Sequence, residues 1–140
     1  YLELELTESL LIDDSDRLVS TLSHLRSEGV HLSIDDFGTG YSNLGYLKKF
    51  EVEALKIDQS FVRKMDDQSN DAAIVRAIIQ MANSLGLKTI AEGVEDASTA
   101  ALLRSLGCTQ AQGYYWARPM PAEEIEIFCE LWGKNTTESL

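Results

Sequence analysis

Two adjacent aspartates are the feature of this sequence that most clearly indicates chemistry. Asp35 and Asp36 directly follow the apolar stretch 32–34. Two carboxylates about 4 Å apart repel each other by about 4 kcal/mol at an effective dielectric constant of 20, so a buried pair requires protons or cations. Carboxylate oxygens are hard ligands that suit Mg²⁺, Mn²⁺ and Ca²⁺. The pair therefore indicates a divalent-metal site, and two metals about 3.5–4 Å apart could clamp both oxygens of a phosphoryl displacement.

Lys56 is the candidate cation beside these carboxylates. It lies in the predicted strand 54–57, and Asp58 follows two residues later. Next to a metal cluster, an ammonium group could orient the attacking water or neutralise the charge that develops on a phosphate. A salt bridge at a strand end is the alternative interpretation of Lys56.

Further polar side chains occupy the same kind of position. Glu5, Glu92 and Gln112 each lie at the end of a short apolar stretch. Taken singly, any of them could equally be a turn residue or a helix cap. Five successive strands that all end in polar residues are harder to explain in that way. In a parallel αβ barrel such ends converge on one face, where the active site lies.

Strands and helices alternate along the chain with short connections. Leu2, Leu4 and Leu6 alternate with glutamates, which is the period-2 pattern of a strand. This order predicts an α/β fold with a parallel sheet and helices outside it. The predicted strands are 2–6, 32–34, 54–57, 87–91 and 108–112. The predicted helices are one that Asp14 or Ser15 caps and Gly29 ends, then 44–48, 71–85 and 98–106, and a last one after Pro121 with the apolar stripe Ile125, Phe128, Cys129 and Trp132.

The composition excludes several classes of partner and location. The 140-residue chain is 44% hydrophobic and 25% charged, as is typical of a globular domain. Its net charge of −11 argues against binding to a nucleic-acid polymer or to an anionic membrane surface. No signal-peptide pattern opens the chain, and Cys108 and Cys129 do not form a C-x-x-C pair. These features predict a cytoplasmic location.

The segment after the aspartates contains two glycines in four residues, Phe37-Gly38-Thr39-Gly40. Glycine adopts backbone conformations that other residues avoid. The segment is therefore either a tight turn or a mobile loop that carries the aspartates and responds to a ligand or a partner.

Six segments together resemble the EAL family of cyclic di-GMP phosphodiesterases. The similarity extends to about Trp132, and the combination of motifs is highly specific. The segments are Glu5-Leu6-Thr7-Glu8-Ser9, Asp35-Asp36-Phe37-Gly38-Thr39-Gly40-Tyr41-Ser42, Leu55-Lys56-Ile57-Asp58, Ala91-Glu92-Gly93-Val94-Glu95, Gln112-Gly113-Tyr114 and Arg118-Pro119-Met120-Pro121.

The resemblance implies a TIM-type (β/α) barrel and metal-dependent hydrolysis of cyclic di-GMP to linear 5′-pGpG. It implies Mg²⁺ or Mn²⁺ in a two-metal site, with Ca²⁺ as an inhibitory ion, and a homodimer. The implied metal ligands are Glu5, Asp35 as the bridge, Asp36 and Glu92. The implied catalytic residues are Lys56, Glu92 and Asp58, and the implied substrate-binding residues are Gln112 and Asp58. Glu8 is implied to stabilise the loop of Phe37, Gly38, Thr39 and Gly40, which in this family links catalysis to dimerisation.

A complete barrel takes ~250 residues, and only five strands are readable here. We therefore expect residues 1–132 to be the carboxyl-terminal portion of an EAL barrel and residues 133–140 to be a polar tail. The Glu-Ala-Leu segment, a further metal-binding Asn and the first strands would lie upstream of Tyr1. Sensory or regulatory domains would precede them, and these could tether the protein to a membrane. The isolated chain would be dimeric or larger and inactive. A non-catalytic cyclic di-GMP receptor is the alternative function.

Overall fold

The computed structural model describes residues 2–8, 10, 16–40, 44–63 and 65–135. Five parallel strands form one sheet in the order of the sequence, which confirms the predicted partial (β/α) barrel. The strands are β1 (Glu3–Thr7), β2 (His31–Phe37), β3 (Ala54–Ile57), β4 (Lys88–Ala91) and β5 (Gln110–Ala111). The helices are α1 (Asp16–Ser27), α2 (Leu44–Lys49), α3 (Gln59–Val62), α4 (Asn70–Ser84), α5 (Ala97–Leu106) and α6 (Ala122–Asn135).

The two faces of the sheet have opposite character, because side chains alternate along each strand. One face carries Leu32 and Ile34 of β2 and Leu55 and Ile57 of β3, all fully buried in the hydrophobic core. The register pairs Glu5 with Ser33 and Ser33 with Ala54 on the opposite face. We call this opposite face the polar face. Its members on the first three strands are Glu5, Ser33, Asp35, Ala54 and Lys56.

Strand β2 contains an irregularity that the sequence did not reveal. Its register with β3 shifts between Ile34 and Phe37, and Asp36 has a φ of 54°. Aspartate tolerates this left-handed conformation better than most residues do. A bulge re-aims a side chain that strict alternation would send to the other face. Asp35 and Asp36 can therefore serve one site although they are neighbours in a strand.

Several predicted elements differ from the observed ones. Strand β2 runs through both aspartates, whereas β5 is shorter than the predicted 108–112. The single turn α3 was not predicted, because four residues show no helical periodicity. The predicted cap Asp14 or Ser15 of α1 lies outside the described residues.

The predicted apolar stripe on α6 lies largely outside the hydrophobic core. Ile125 is 47% exposed and Trp132 is 38% exposed, and Cys129 is exposed as well. The Phe128 and Trp132 rings stack on each other with their centroids 5.5 Å apart. Helix α6 continues to Asn135, and residues 136–140 are outside the described part of the chain. None of the helices in that part combines the length and apolar character needed to cross a membrane.

Candidate metal centre

Lys56 occupies the centre of the polar face. Strand β3 presents its side chain there, only 7% exposed. The Lys56 Nζ atom lies 2.6 Å from Glu5 Oε1, 2.9 Å from Asp35 Oδ1 and 2.8 Å from Glu92 Oε1. The ends of β1, β2 and β4 thus bring three carboxylates to one ammonium group.

The three carboxylates determine the protonation state of Lys56. Burial by itself would lower the pKa of the ammonium group, but its close contacts with the carboxylates of Glu5, Glu92 and Asp35 outweigh it and raise the pKa above its ordinary value. The ammonium group therefore stays charged over the physiological pH range.

Asp35, Asp36 and Glu92 form the acidic cluster that could hold a metal ion. Each offers a carboxylate oxygen, and these oxygens all lie within 4.8 Å of one another. Asp35 Oδ1 is buried and receives no hydrogen bond of ordinary geometry from the described residues, so the ion pair with Lys56 is its polar contact. A buried carboxylate oxygen without a hydrogen bond and an all-oxygen donor set both suit a hard divalent cation. Glu5 lies outside this group of three and joins it through Lys56.

Asp58 lies at the edge of the cluster, where it caps α3. Its Oδ1 accepts a hydrogen bond from the Ser60 backbone N–H at 3.0 Å and another from the Ser60 hydroxyl. Desolvation would raise the pKa of Asp58, but these hydrogen bonds lower it below its ordinary value. Desolvation and the carboxylates of Asp35 and Asp58 raise the pKa of Asp36.

Gln112 connects the acidic cluster to a cavity. Its Nε2 donates a hydrogen bond of 2.9 Å to Glu92 Oε1. Both side chains line a cavity of about 460 Å³ beside the cluster. A Cβ atom at Gly113 would lie 2.1 Å from the Val94 carbonyl oxygen, so the wall of this cavity requires glycine there.

Glu8 holds the segment that follows the aspartates. Its carboxylate is buried, and Oε2 accepts hydrogen bonds from the backbone N–H groups of Gly38 at 3.1 Å and Gly40 at 3.0 Å. Thr39 Oγ1 donates a hydrogen bond of 2.9 Å back to the Asp36 carbonyl. Gly38 has a φ of 103°, and Phe37 is buried in the core. The segment 37–40 is therefore a fixed turn in this structure, and residues 41–43 lie outside the described ones.

Glu8→Ala should release this turn. Two hydrogen bonds to a charged acceptor would be lost, which we expect to cost about 2–4 kcal/mol in the free energy of unfolding. The backbone amides of Gly38 and Gly40 should lose their protection in hydrogen–deuterium exchange. Glu8→Gln is the matched control, because its amide oxygen can still accept both bonds. Unchanged exchange at both glycines in the alanine variant would contradict this role of Glu8.

Three charged residues of the cavity were not predicted as site residues. Arg63 Nε lies 3.2 Å from Glu95 Oε1, and the Arg118 guanidinium lies 4.7 Å from the centroid of the Tyr114 ring. All four side chains line the cavity that Glu92 and Gln112 also line. Glu95 and Arg118 belong to segments that carry the resemblance to the EAL family. Arg63 follows the short helix α3, and no pattern in the sequence points to it.

Comparisons with known proteins agree with this geometry. The EAL domain family model matches residues 1–119. The cyclic di-GMP phosphodiesterase NbdA of Pseudomonas aeruginosa is 47% identical over 128 residues, which are 91% of this chain and 16% of NbdA. The chain thus spans a small part of the length of this curated relative.

Solved structures superpose closely on the chain. The PaMucR phosphodiesterase in complex with c-di-GMP has a TM-score of 0.83 and 48% identity, and the match covers 89% of this chain and 55% of that one. BlrP1 of Klebsiella pneumoniae, solved as a manganese/c-di-GMP and as a calcium/c-di-GMP complex, has a TM-score of 0.74 and 36% identity, covering 84% of this chain and 30% of that one. The family match covers most of the chain. The carboxylates and Lys56, which belong to the motifs of this family, converge at the carboxyl ends of the strands. The chain belongs to the EAL domain family.

Proposed function

We propose that the protein containing this chain hydrolyses cyclic di-GMP to linear 5′-pGpG in a metal-dependent reaction. The observation that carries the proposal is the convergence of Glu5, Asp35 and Glu92 on Lys56 at the strand ends of an EAL domain. Relatives named cyclic di-GMP phosphodiesterases support the substrate. In the reaction a water oxygen bonds to phosphorus, the bond from phosphorus to O3′ breaks, and O3′ leaves with a proton.

We propose Mg²⁺ or Mn²⁺ as the cofactor, and Glu5, Asp35, Asp36 and Glu92 as the residues that would hold it. Two such ions, when bound, supply positive charge to the phosphate and lower the pKa of water. The carboxylates would hold these ions, and the charge of the ions would offset the acidity of the site toward a doubly charged dinucleotide. Lys56 and Glu92 orient the attacking water, because both lie at the centre of the cluster and are largely buried. Asp58 supports Asp36 from the edge.

The cavity beside the cluster is the proposed place for the part of the substrate that does not react. Gln112 lines this cavity and donates a hydrogen bond to Glu92, so its amide could also contact a phosphate of the substrate. Planar groups such as the Tyr114 ring and the Arg118 guanidinium can stack on a guanine base. The Glu95 carboxylate can accept hydrogen bonds from the N1–H and amino groups of guanine. These groups favour a guanine nucleotide over a pyrimidine one.

We propose that turnover requires the intact EAL domain and that the 140-residue chain alone is inactive. The match to PaMucR covers only 55% of that chain, which supports a larger intact domain. We also propose that the protein is a homodimer. We further propose upstream sensory or regulatory domains, because the match to NbdA covers only 16% of that protein. The free cysteines Cys108 and Cys129 favour a cytoplasmic location.

Metal removal tests the proposed function. Treatment of the full-length protein with EDTA should abolish conversion of cyclic di-GMP to pGpG. Chromatography of the reaction products measures this conversion. Mg²⁺ or Mn²⁺ should restore turnover, whereas Ca²⁺ should bind without restoring it and should inhibit the Mg²⁺-loaded protein. A metal-loaded protein that binds cyclic di-GMP without turnover would instead identify a non-catalytic receptor.

A further inference from the structure

Ser33 is a buried polar residue on the strand that carries Asp35. It lies on the polar face of β2 and is fully buried. No group in the described part of the chain forms a hydrogen bond with its Oγ atom. A buried hydroxyl is almost always hydrogen-bonded, so an unbonded one calls for a specific explanation.

The position of Ser33 relates it to two proposed metal ligands. Its register partner across β1 and β2 is Glu5. Asp35 follows it by two residues on the same face, at a Cα spacing of about 6.6 Å in an extended strand. Side chains at this spacing can share a hydrogen bond directly or through one water.

The second buried atom without a hydrogen bond is Asp35 Oδ1. Among the described residues, Ser33 Oγ and Asp35 Oδ1 are the two buried side-chain polar atoms in this condition. One is a potential donor and the other is an acceptor, and both lie on one face of one strand. In the arrangement seen here, the Lys56 ammonium draws the Asp35 carboxylate toward itself at 2.9 Å.

We propose that Ser33 is a positioning residue of the metal centre. Its hydroxyl donates the hydrogen bond that orients the Asp35 carboxylate when that carboxylate binds a divalent cation rather than the Lys56 ammonium. The inference rests on the proposed metal site and adds a residue to its outer shell. Outer-shell partners of metal ligands typically contribute 10–100-fold in metal affinity.

This role predicts two separate effects of Ser33→Ala, one on stability and one on metal affinity. In the metal-free protein the variant removes a buried hydroxyl that has no partner, so stability should be unchanged or higher. In the metal-bound protein it removes the orienting donor, so the Kd for Mn²⁺ should rise about 10–100-fold. A serine that serves only the packing of the sheet would not produce these two effects together.

The experiment compares the full-length wild type with Ser33→Ala, Ser33→Cys and Ser27→Ala. Mn²⁺ affinity is measured by calorimetry, and stability is measured by urea unfolding in EDTA. Ser33→Cys fills the space with a weak donor and should share the loss of affinity. Ser27 is an exposed serine whose hydroxyl bonds the His24 carbonyl, so Ser27→Ala should bind Mn²⁺ as the wild type does. At saturating Mn²⁺, the KM for cyclic di-GMP should stay within about twofold of the wild type.

The outcomes separate the inference from the proposed function. A Kd for Mn²⁺ within twofold of the wild type in Ser33→Ala, or a clear loss of stability in EDTA, would overturn the role of Ser33. Wild-type protein that binds Mn²⁺ but does not hydrolyse cyclic di-GMP would overturn the proposed function and leave the positioning role intact. Wild-type protein that binds no Mn²⁺ would overturn both.

Discussion

Asp35→Asn should abolish hydrolysis of cyclic di-GMP by the full-length protein and weaken Mn²⁺ binding by more than about 100-fold, the upper end for an outer-shell partner. Asp35 belongs both to the carboxylates around Lys56 and to the candidate metal ligands. It belongs to the acidic cluster, it contacts Lys56 at 2.9 Å, and its Oδ1 is buried without a hydrogen bond. Asparagine keeps the size of the side chain but removes the charge and one of its two oxygen ligands.

The fold should tolerate this change, because Lys56 keeps Glu5 and Glu92 as partners. Thermal unfolding without metal should therefore differ little from the wild type. Asp67→Asn is a matched control, since it removes the same charge from an exposed carboxylate that pairs with Arg76. Calorimetry with Mn²⁺ and product chromatography measure the two effects. Full turnover in Asp35→Asn would show that the metal site lies elsewhere.

Lys56→Met should destabilise the metal-free protein and abolish turnover. The substitution leaves Glu5, Asp35 and Glu92 facing one another without a cation, at a position that is nearly buried. Breaking a buried ion pair costs 3–5 kcal/mol, and we expect about 2–4 kcal/mol here because the Glu5 side chain is half exposed. Urea unfolding in EDTA measures this loss.

Divalent cations should reduce that loss, because they neutralise the same carboxylates that Lys56 neutralises in the metal-free state. The difference in stability between Lys56→Met and wild type should therefore shrink in Mn²⁺, although turnover stays absent. Lys88→Met removes an exposed ammonium from the neighbouring strand β4 and should change neither property. Equal destabilisation of Lys56→Met in EDTA and in Mn²⁺ would argue against a shared site.

The contribution of Lys56 to stability also has a defined pH range. Its pKa in the folded chain is raised, so the contribution is fully present below the unfolded value of about 10.4 and is lost only as the pH rises through the folded value. At the acidic end, the contribution of Asp58 is present above its unfolded pKa and is lost as the pH falls through its lowered folded pKa.

Much of the site could be predicted because strand ends are easy to locate. Alternating leucines reveal β1, and the helix α4 follows its apolar periodicity to within a residue. Parallel strands align their carboxyl ends, so Glu5, Asp35 and Glu92 were expected to meet. By contrast, the predicted stripe on α6 is largely exposed in the structure. Periodicity identifies an apolar face but does not say what packs against it.

The sequence by itself determined the residue types at the strand ends, the parallel order of the strands and the family to which the motifs point. These depend on the local alternation of apolar and polar residues and on the order of segments along the chain. Both can be recognised directly in the sequence. Only the tertiary structure decided that Lys56 is the cation at which three carboxylates meet, that a bulge turns Asp36 toward the same site, and that Ser33 lies buried without a partner. Each of these depends on the register between strands, and register is set by packing across the sheet rather than by any one segment.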